Sequence, residues 1–458
     1  MKISRLFSFM AAAIILIASC ASGPSLKNVP VEQQCTITMP GTLTITRFDG
    51  KSVLMGVYGP AANSPAGAQI YTIPAGQHNI ELAYTMVEYM GTSTRTTRGK
   101  GIKFSYDFIP GRSYRFSGTT TRGSYSVRIL DATDESLLTI TPKKKSFLGD
   151  MAYSLDGYNI AYTDGTDIVI ANAEDGTAIK TITTGKKAIS RIQFNTDGKN
   201  VISLSQDNNV KVWDINAGTE VRTILASKKA IKNIAFSPDN TRVAVSIGDN
   251  IEVYDVNSGQ KISTFPGYKS FLGMMLFSSD NSRIISATPQ GLFSNKTSIT
   301  LTEVESGKQI NSTTLEFPIG PATWRYKSEK IAVGAGPGVT ILDVNTMNVE
   351  KTFSVYGGNA SGAYYSPDGK YIICINTEPQ ISPFRNAIFL DAETGKELRT
   401  ITPAVTEKNF YRAIWNPSGK SFAFVILGKN GIGYQIWDSS MVIAPGNGEI
   451  GSDAANES

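Results

Sequence analysis

Two consecutive stretches of the chain are nearly the same: residues 188–229, "AISRIQFNTDGKNVISLSQDNNVKVWDINAGTEVRTILASKK", and residues 230–270, "AIKNIAFSPDNTRVAVSIGDNIEVYDVNSGQKISTFPGYKS". Each holds four short apolar runs separated by turn signals, on a period of about 40 residues. A four-stranded sheet this small cannot bury both faces alone. It must stack on a neighbour at each side, and a ring of such sheets removes the last open faces. The repeat therefore predicts an all-β protein containing a β-propeller.

With the four strands of a repeat called a to d, the a–b turn recurs as Asp156-Gly157, Asp197-Gly198, Asp239-Asn240, Asp280-Asn281, Ser328-Glu329, Asp368-Gly369 and Ser418-Gly419. Each pair tolerates positive φ or bonds its own backbone. The c–d turn recurs as "AEDG", "DINAG", "DVNSG", "EVESG", "DVNTM", "DAETG" and "DSSM". Seven of each predict seven blades. The last repeat ends "YQIWDSSMVIAPGN" without a fourth strand, while "ILDATDESLLTITP" before the first repeat aligns with "FLDAETGKELRTITP" of the sixth. Residues 136–141 are therefore expected to supply the missing outer strand and close the ring.

"FSPDN", "YSPDG" and "LSQDNNVKVWDINAG" resemble repeats of the WD-repeat family, and the likeness covers about two thirds of the chain. The resemblance implies a propeller that acts as a binding scaffold. Two departures stand out. Only Trp213-Asp214 and Trp437-Asp438 keep the family's dipeptide, and no repeat has its Gly-His pair. The family's buried His–Ser–Asp–Trp network therefore cannot form, although Ser205, Asp207 and Trp213 are placed for a partial version.

The chain has 458 residues, 41% apolar and 18% charged, enough for more than one core. Lys2 and Arg5 precede the apolar run "FSFMAAAIILIA", which ends in Ile17-Ala18-Ser19-Cys20. That order resembles the lipobox signal of bacterial lipoproteins, which implies removal of residues 1–19 and lipidation of Cys20. Ala21 and Ser22 carry no acidic retention signal, so the expected address is the cell envelope, at the outer membrane. Residues 20–30 read as a polar tether. Residues 31–130 alternate in half-buried antiparallel fashion, as in Ile80-Leu82-Tyr84 and Phe104-Tyr106-Phe108, and predict a small β-sandwich. Its phrases "IPAGQHNIELAY" and "FIPGRSYRF" resemble small β-domains of other bacterial lipoproteins. The propeller should occupy residues 131–445, and the polar residues 446–458 should be a disordered tail.

A net charge of +5 does not point to nucleic acid. The single histidine, His78, leaves no Ser–His–Asp arrangement or His-based metal cluster in the repeats, and reads as a structural turn residue. No cofactor is expected. Cys374 lies in the strand run "KYIICIN", where a buried free thiol is expected rather than a bond to Cys35. The expected role is a membrane-tethered scaffold for a protein, an acidic glycan or a lipid; the alternative is a lactonase- or hydrolase-like propeller enzyme using the axial pocket.

Candidate contacts are basic. The d–a connections carry Lys143, Lys144, Lys145, Lys186, Lys187, Lys228, Lys229 and Lys269, predicting a positive arc on the face that also bears the b–c loops. The opposite face collects Asp156, Asp197, Asp239, Asp280 and Asp368, so the disc should be electrically two-sided. A second contact is expected at a hairpin tip with Arg95, Arg98 and Lys100.

Overall fold

The computed structural model describes residues 29–39, 43–52, 69–90, 93–121, 124–131, 136–195, 197–267, 274–290, 296–317, 319–325, 328–336, 338–355, 359–377, 385–401, 408–428, 431–442 and 449–450. Among these there is no α-helix; the fold is all-β with two short 3₁₀ turns. From residue 138 to 438 the chain builds seven four-stranded antiparallel sheets in succession. The first consists of Met151–Tyr153, Asn159–Asp164, Asp167–Asn172 and Ala178–Thr183, in that order. The next five repeat this plan. The last takes Lys408–Trp415, Ser421–Gly428 and Gly431–Asp438 from the end of the run and Leu138–Ile140 from its start. The register pairs Tyr434 with Ile140, Gln435 with Thr139 and Ile436 with Leu138. These repeated sheets are consistent with a WD-like propeller.

The turn chemistry explains the regularity. In four sheets a serine ends strand a and donates to the turn aspartate: Ser154 to Asp156, Ser237 to Asp239 and Ser366 to Asp368 at 2.6 Å, and Ser278 to Asp280 at 2.5 Å. The same serine oxygen accepts the backbone N–H that opens strand b, from Asn159, Arg242, Arg283 or Tyr371, each at 2.9 Å. The next position is left-handed, at φ 78° for Gly157, 53° for Asn240 and 63° for Asn281. Glycine and asparagine are the residues that enter this region at least cost.

The aspartates are held in their charged form. Burial alone would raise the carboxyl of Asp280, but hydrogen bonds from the Ser278 and Ser282 side chains and the Ser282 N–H outweigh it and lower the pKa to about 2. Asp156 is lowered chiefly by its bond from Ser154. Because the folded-state values lie below the ordinary 3.8, this stabilisation is complete above that pH and lost as pH falls through the folded value. Thermal midpoints should therefore fall steeply between about pH 4 and pH 2. Asp280→Asn should flatten part of that slope; an unchanged profile would remove Asp280 as a contributor.

Each sheet shares a core with the one before it. In all seven, strand a ends its apolar run on an aromatic residue (Tyr153, Phe194, Phe236, Phe277, Trp324, Tyr365 and Trp415), and each packs into the seam with the preceding sheet. Planar side chains bury large area and wedge such layered seams. The seam between the last and first sheets is built alike, with Ile140, Met151, Tyr153, Val425, Tyr434 and Ile436 in one core. Polar contacts cross it too: Thr163 Oγ1 and the Tyr434 hydroxyl are 2.8 Å apart, and Asn416 Nδ2 donates to the Gly157 carbonyl at 3.0 Å.

The N-terminal residues form two more sheets that share one core, including Ile37, Met39, Ile45, Leu82, Phe104 and Phe116. Three expectations change here. Gln34–Met39 is an additional strand, and it pairs parallel with Ser113–Thr121, not antiparallel. Arg95, Arg98 and Lys100 lie along the strand Ser93–Phe108, opposite Glu88, Thr85 and Ala83, rather than at the hairpin tip. The strand simply continues beyond the polar stretch read as a turn, because Thr-rich segments suit a ladder as well as a loop. Finally, Glu449–Ile450, within the expected tail, pairs with Arg128 and Val127. At these two residues the expectation of disorder is corrected, since the sheet edge at Ser124–Asp131 offers a ladder to complete.

Candidate functional site

The described lysines of the expected arc lie in connections between successive sheets. Lys143, Lys144, Lys145, Lys186, Lys187, Lys228 and Lys229 are exposed, while Lys269 and Cys20 lie outside the described residues. The arc is not uniformly free. Lys144 Nζ sits 2.7 Å from Asp167, and its N–H donates to Asp164. Lys145 lies over the Phe147 ring. Asp164, Asp167, Asp207 and Asp249 occupy the b–c turns of the same three sheets.

The opposite face is mixed as well. Arg242 pairs with Glu305 at 2.7 Å, Arg283 with Glu329 at 2.6 Å and Arg325 with Glu393 at 2.5 Å. Each pair ties one sheet to the next. The expectation of two oppositely charged faces is thus corrected, because the b–c turns of the first three sheets carry aspartates beside the lysines and arginines stand among the acidic residues of the other face.

A cavity of about 350 Å3 lies where the first strands of the sheets converge, walled by Arg191, Asn233, Met274, Ala322, Tyr364 and Arg412. Five of these strands carry a register shift at one level, at Ile189/Arg191, Ile231/Asn233, Ile319/Ala322, Ala360/Gly362 and Phe410/Arg412. A bulge re-aims the side chains that follow it, which is how a polar residue enters an apolar strand without moving its neighbours. Asp150, only 2% exposed, pairs with Arg412 and accepts the Ile192 N–H at 3.3 Å. Burial is the largest influence and works against the Arg412 charge, but the charge and hydrogen bond of Asp150 together with Tyr364 and Tyr411 outweigh it and hold the guanidinium above its ordinary pKa. Burial pushes the Tyr364 hydroxyl up to about 12. Tyr365 and Trp415 also wall a wider depression of about 1120 Å3 at the a–b turns, beside Trp324 and Tyr371.

The remaining sequence candidates are structural. His78 bonds Asp49 through Nδ1 at 2.8 Å and the Pro74 carbonyl through Nε2 at 3.0 Å. Cys35 and Cys374 are free and buried; burial pushes Cys374 up to about 12. The partial network expected of Ser205, Asp207 and Trp213 does not form. The Trp213 indole donates to Ser203 at 2.9 Å, while Ser205 closes a local bond to Asp207. Ser203 lies two residues earlier on the same strand face and stands nearer the indole across the ladder. In the last sheet Phe424 holds the place of Ser203, and the Trp437 N–H is buried without a partner. Among the described residues no group of His, Cys, Asp and Glu is arranged to hold a metal.

Residues 176–214 match the family described as WD domain, G-beta repeat. The match runs from the c–d turn at Gly176 through Ala178–Thr183 and then the first three strands of the second sheet. A repeat so defined straddles two sheets, so consecutive repeats interlock. The outer strand of the last sheet must then precede the first repeat, where Leu138–Ile140 lies. No curated protein matches the chain.

Proposed function

We propose that the chain is a lipid-anchored protein of the cell envelope, held through Cys20, whose seven-bladed propeller is closed by residues 138–140 and serves as a binding scaffold. Residues 31–130 act as a sandwich-like spacer between anchor and ring. The observation that carries the reading is a WD-repeat match set within a run of like sheets, an architecture commonly used for protein interaction. Binding is favoured over catalysis because the sole histidine lies outside the repeats, on the strand Gly76–Met90, with both ring nitrogens engaged by Asp49 and the Pro74 carbonyl.

The partner is taken to be a protein, acidic glycan or anionic lipid meeting Lys143, Lys145, Lys186, Lys187, Lys228 and Lys229, while Lys144 is occupied by Asp167. Fatty-acid-analogue labelling in cells should mark the parent and not Cys20→Ala; equal labelling of both would remove the anchor. Replacing the six lysines by Glu should abolish capture on anionic vesicles at low salt. Undiminished capture would leave the arc a solvated rim.

A further inference from the structure

We propose that the axial cavity binds a small organic anion through a carboxylate or similar oxyanion group, gripped by Arg191 and Arg412. Three observations carry this. The first is the charge inventory. Two guanidinium groups line the cavity and, among the described residues, no carboxylate does; the carboxylate paired with Arg412 is Asp150, which also accepts the Ile192 N–H and is withdrawn from solvent. Arg412 stays about one third exposed, at 34%. Arg191 has no ion-pair partner among the described residues and donates only to its neighbour's carbonyl, at Ser190, 3.0 Å away. The site therefore presents donors and a surplus positive charge to the cavity.

The second is the wall. Met274, Met275, Pro321, Ala322 and Ile414 line the same cavity as the two arginines with apolar surface, alongside the polar Asn233 and Thr323. Low polarity around a cation strengthens its attraction for an oxyanion, and a planar guanidinium holds a carboxylate by two parallel bonds. The third is construction. The strands bearing both arginines are bulged directly before them, so the two cations enter the cavity from the same level of separate sheets. The volume, about 350 Å3, belongs to the lower end of small-molecule sites. A ligand with its anionic head at the arginines would extend an apolar or aromatic body toward Tyr365 and Trp415, which wall both this cavity and the wider one.

The test is equilibrium titration of the full chain in detergent with formate, acetate, benzoate and inorganic phosphate, against acetamide and benzamide as neutral controls. Bound ligand is read by calorimetry and by Trp fluorescence. The expected result is that at least one anion saturates while its neutral counterpart does not, and that Arg191→Gln weakens it by about tenfold or more. Benzoate above acetate would assign the body-binding end, and phosphate binding would extend the site to phosphorylated ligands. Arg191→Lys, which keeps the charge and loses the fork, should fall between the parent and Arg191→Gln. Arg191 is half-buried and unpaired, so the melting midpoint of both variants should stay at the parental value. The proposal is overturned if none of the four anions binds, if amides bind equally, or if Arg191→Gln binds as the parent does.

Discussion

Deleting residues 136–142 should lower the melting midpoint sharply and replace a single cooperative transition by a broad or staged one. The strand Leu138–Ile140 is short, but it is the fourth strand of a sheet whose other members lie almost three hundred positions later in the sequence. Its ladder bonds, together with the Leu137 N–H to the Ile436 carbonyl at 2.8 Å, each contribute about 1 kcal/mol. Ile140 is 9% exposed and packs against Met151, Tyr434 and Ile436, and its burial adds about 2 kcal/mol. Leu138 lies against the c–d turn of the first sheet: a Cβ on Gly176 would stand 2.8 Å from its side chain. In the second, third and sixth sheets the corresponding glycines meet Lys180, Arg222 and Phe353 from the preceding sheet's fourth strand. The strand thus completes one sheet and supports the next, so its loss exposes two surfaces. Calorimetry on the deletion variant checks this, and a peptide of residues 136–142 added in trans should restore part of the midpoint. One sharp parental transition from the deletion variant would show that the ends hold together without the strand.

Much of this architecture was legible because it depends on local chemistry. Asp-Gly and Asp-Asn at fixed spacing specify left-handed turns, and the strand Leu138–Ile140 betrayed its pairing with the last sheet by matching "GKELRTITP". The aromatic residue ending every strand a was equally readable, since it recurs just before each turn. The axial site was not. Asp150, Arg191 and Arg412 lie far apart in the sequence, Asp150 just before the first strand of its sheet and the two arginines each directly after a bulge that alternation patterns do not register. The Trp213 bond was misjudged for a related reason. Ser203 and Ser205 face the same side of one strand, and only the ladder register decides which meets the indole. Likewise the partners of Lys144 come from a b–c turn whose approach to the d–a connection is a tertiary fact.

Arg412→Met alone should cost about 3 kcal/mol, and Asp150→Asn added to it should recover most of the loss. The two residues join the last sheet to the first beside the cavity, where Asp150 has almost no exposed surface. Removing the guanidinium strands a carboxylate whose remaining contact is a long bond from the Ile192 N–H. An uncompensated buried charge is expensive, whereas a neutral amide in the same place is not, because it demands no counter-charge. Asp150→Asn alone should be milder than Arg412→Met, since Arg412 is about one third exposed and can turn to water. The double-mutant cycle, measured by denaturant unfolding, should therefore yield a coupling energy of about 1–3 kcal/mol. If the single and double variants instead add independently, the pair is a solvent-screened contact, and seam stability rests on Ile140, Tyr153 and Tyr434 without it. A positive coupling would also give the axial pair a second consequence. With Asp150 fixed by its own partners, the outward side of Arg412 is the part of the seam that remains open to the cavity, so one ion pair both locks the first and last sheets together and leaves a cation facing inward.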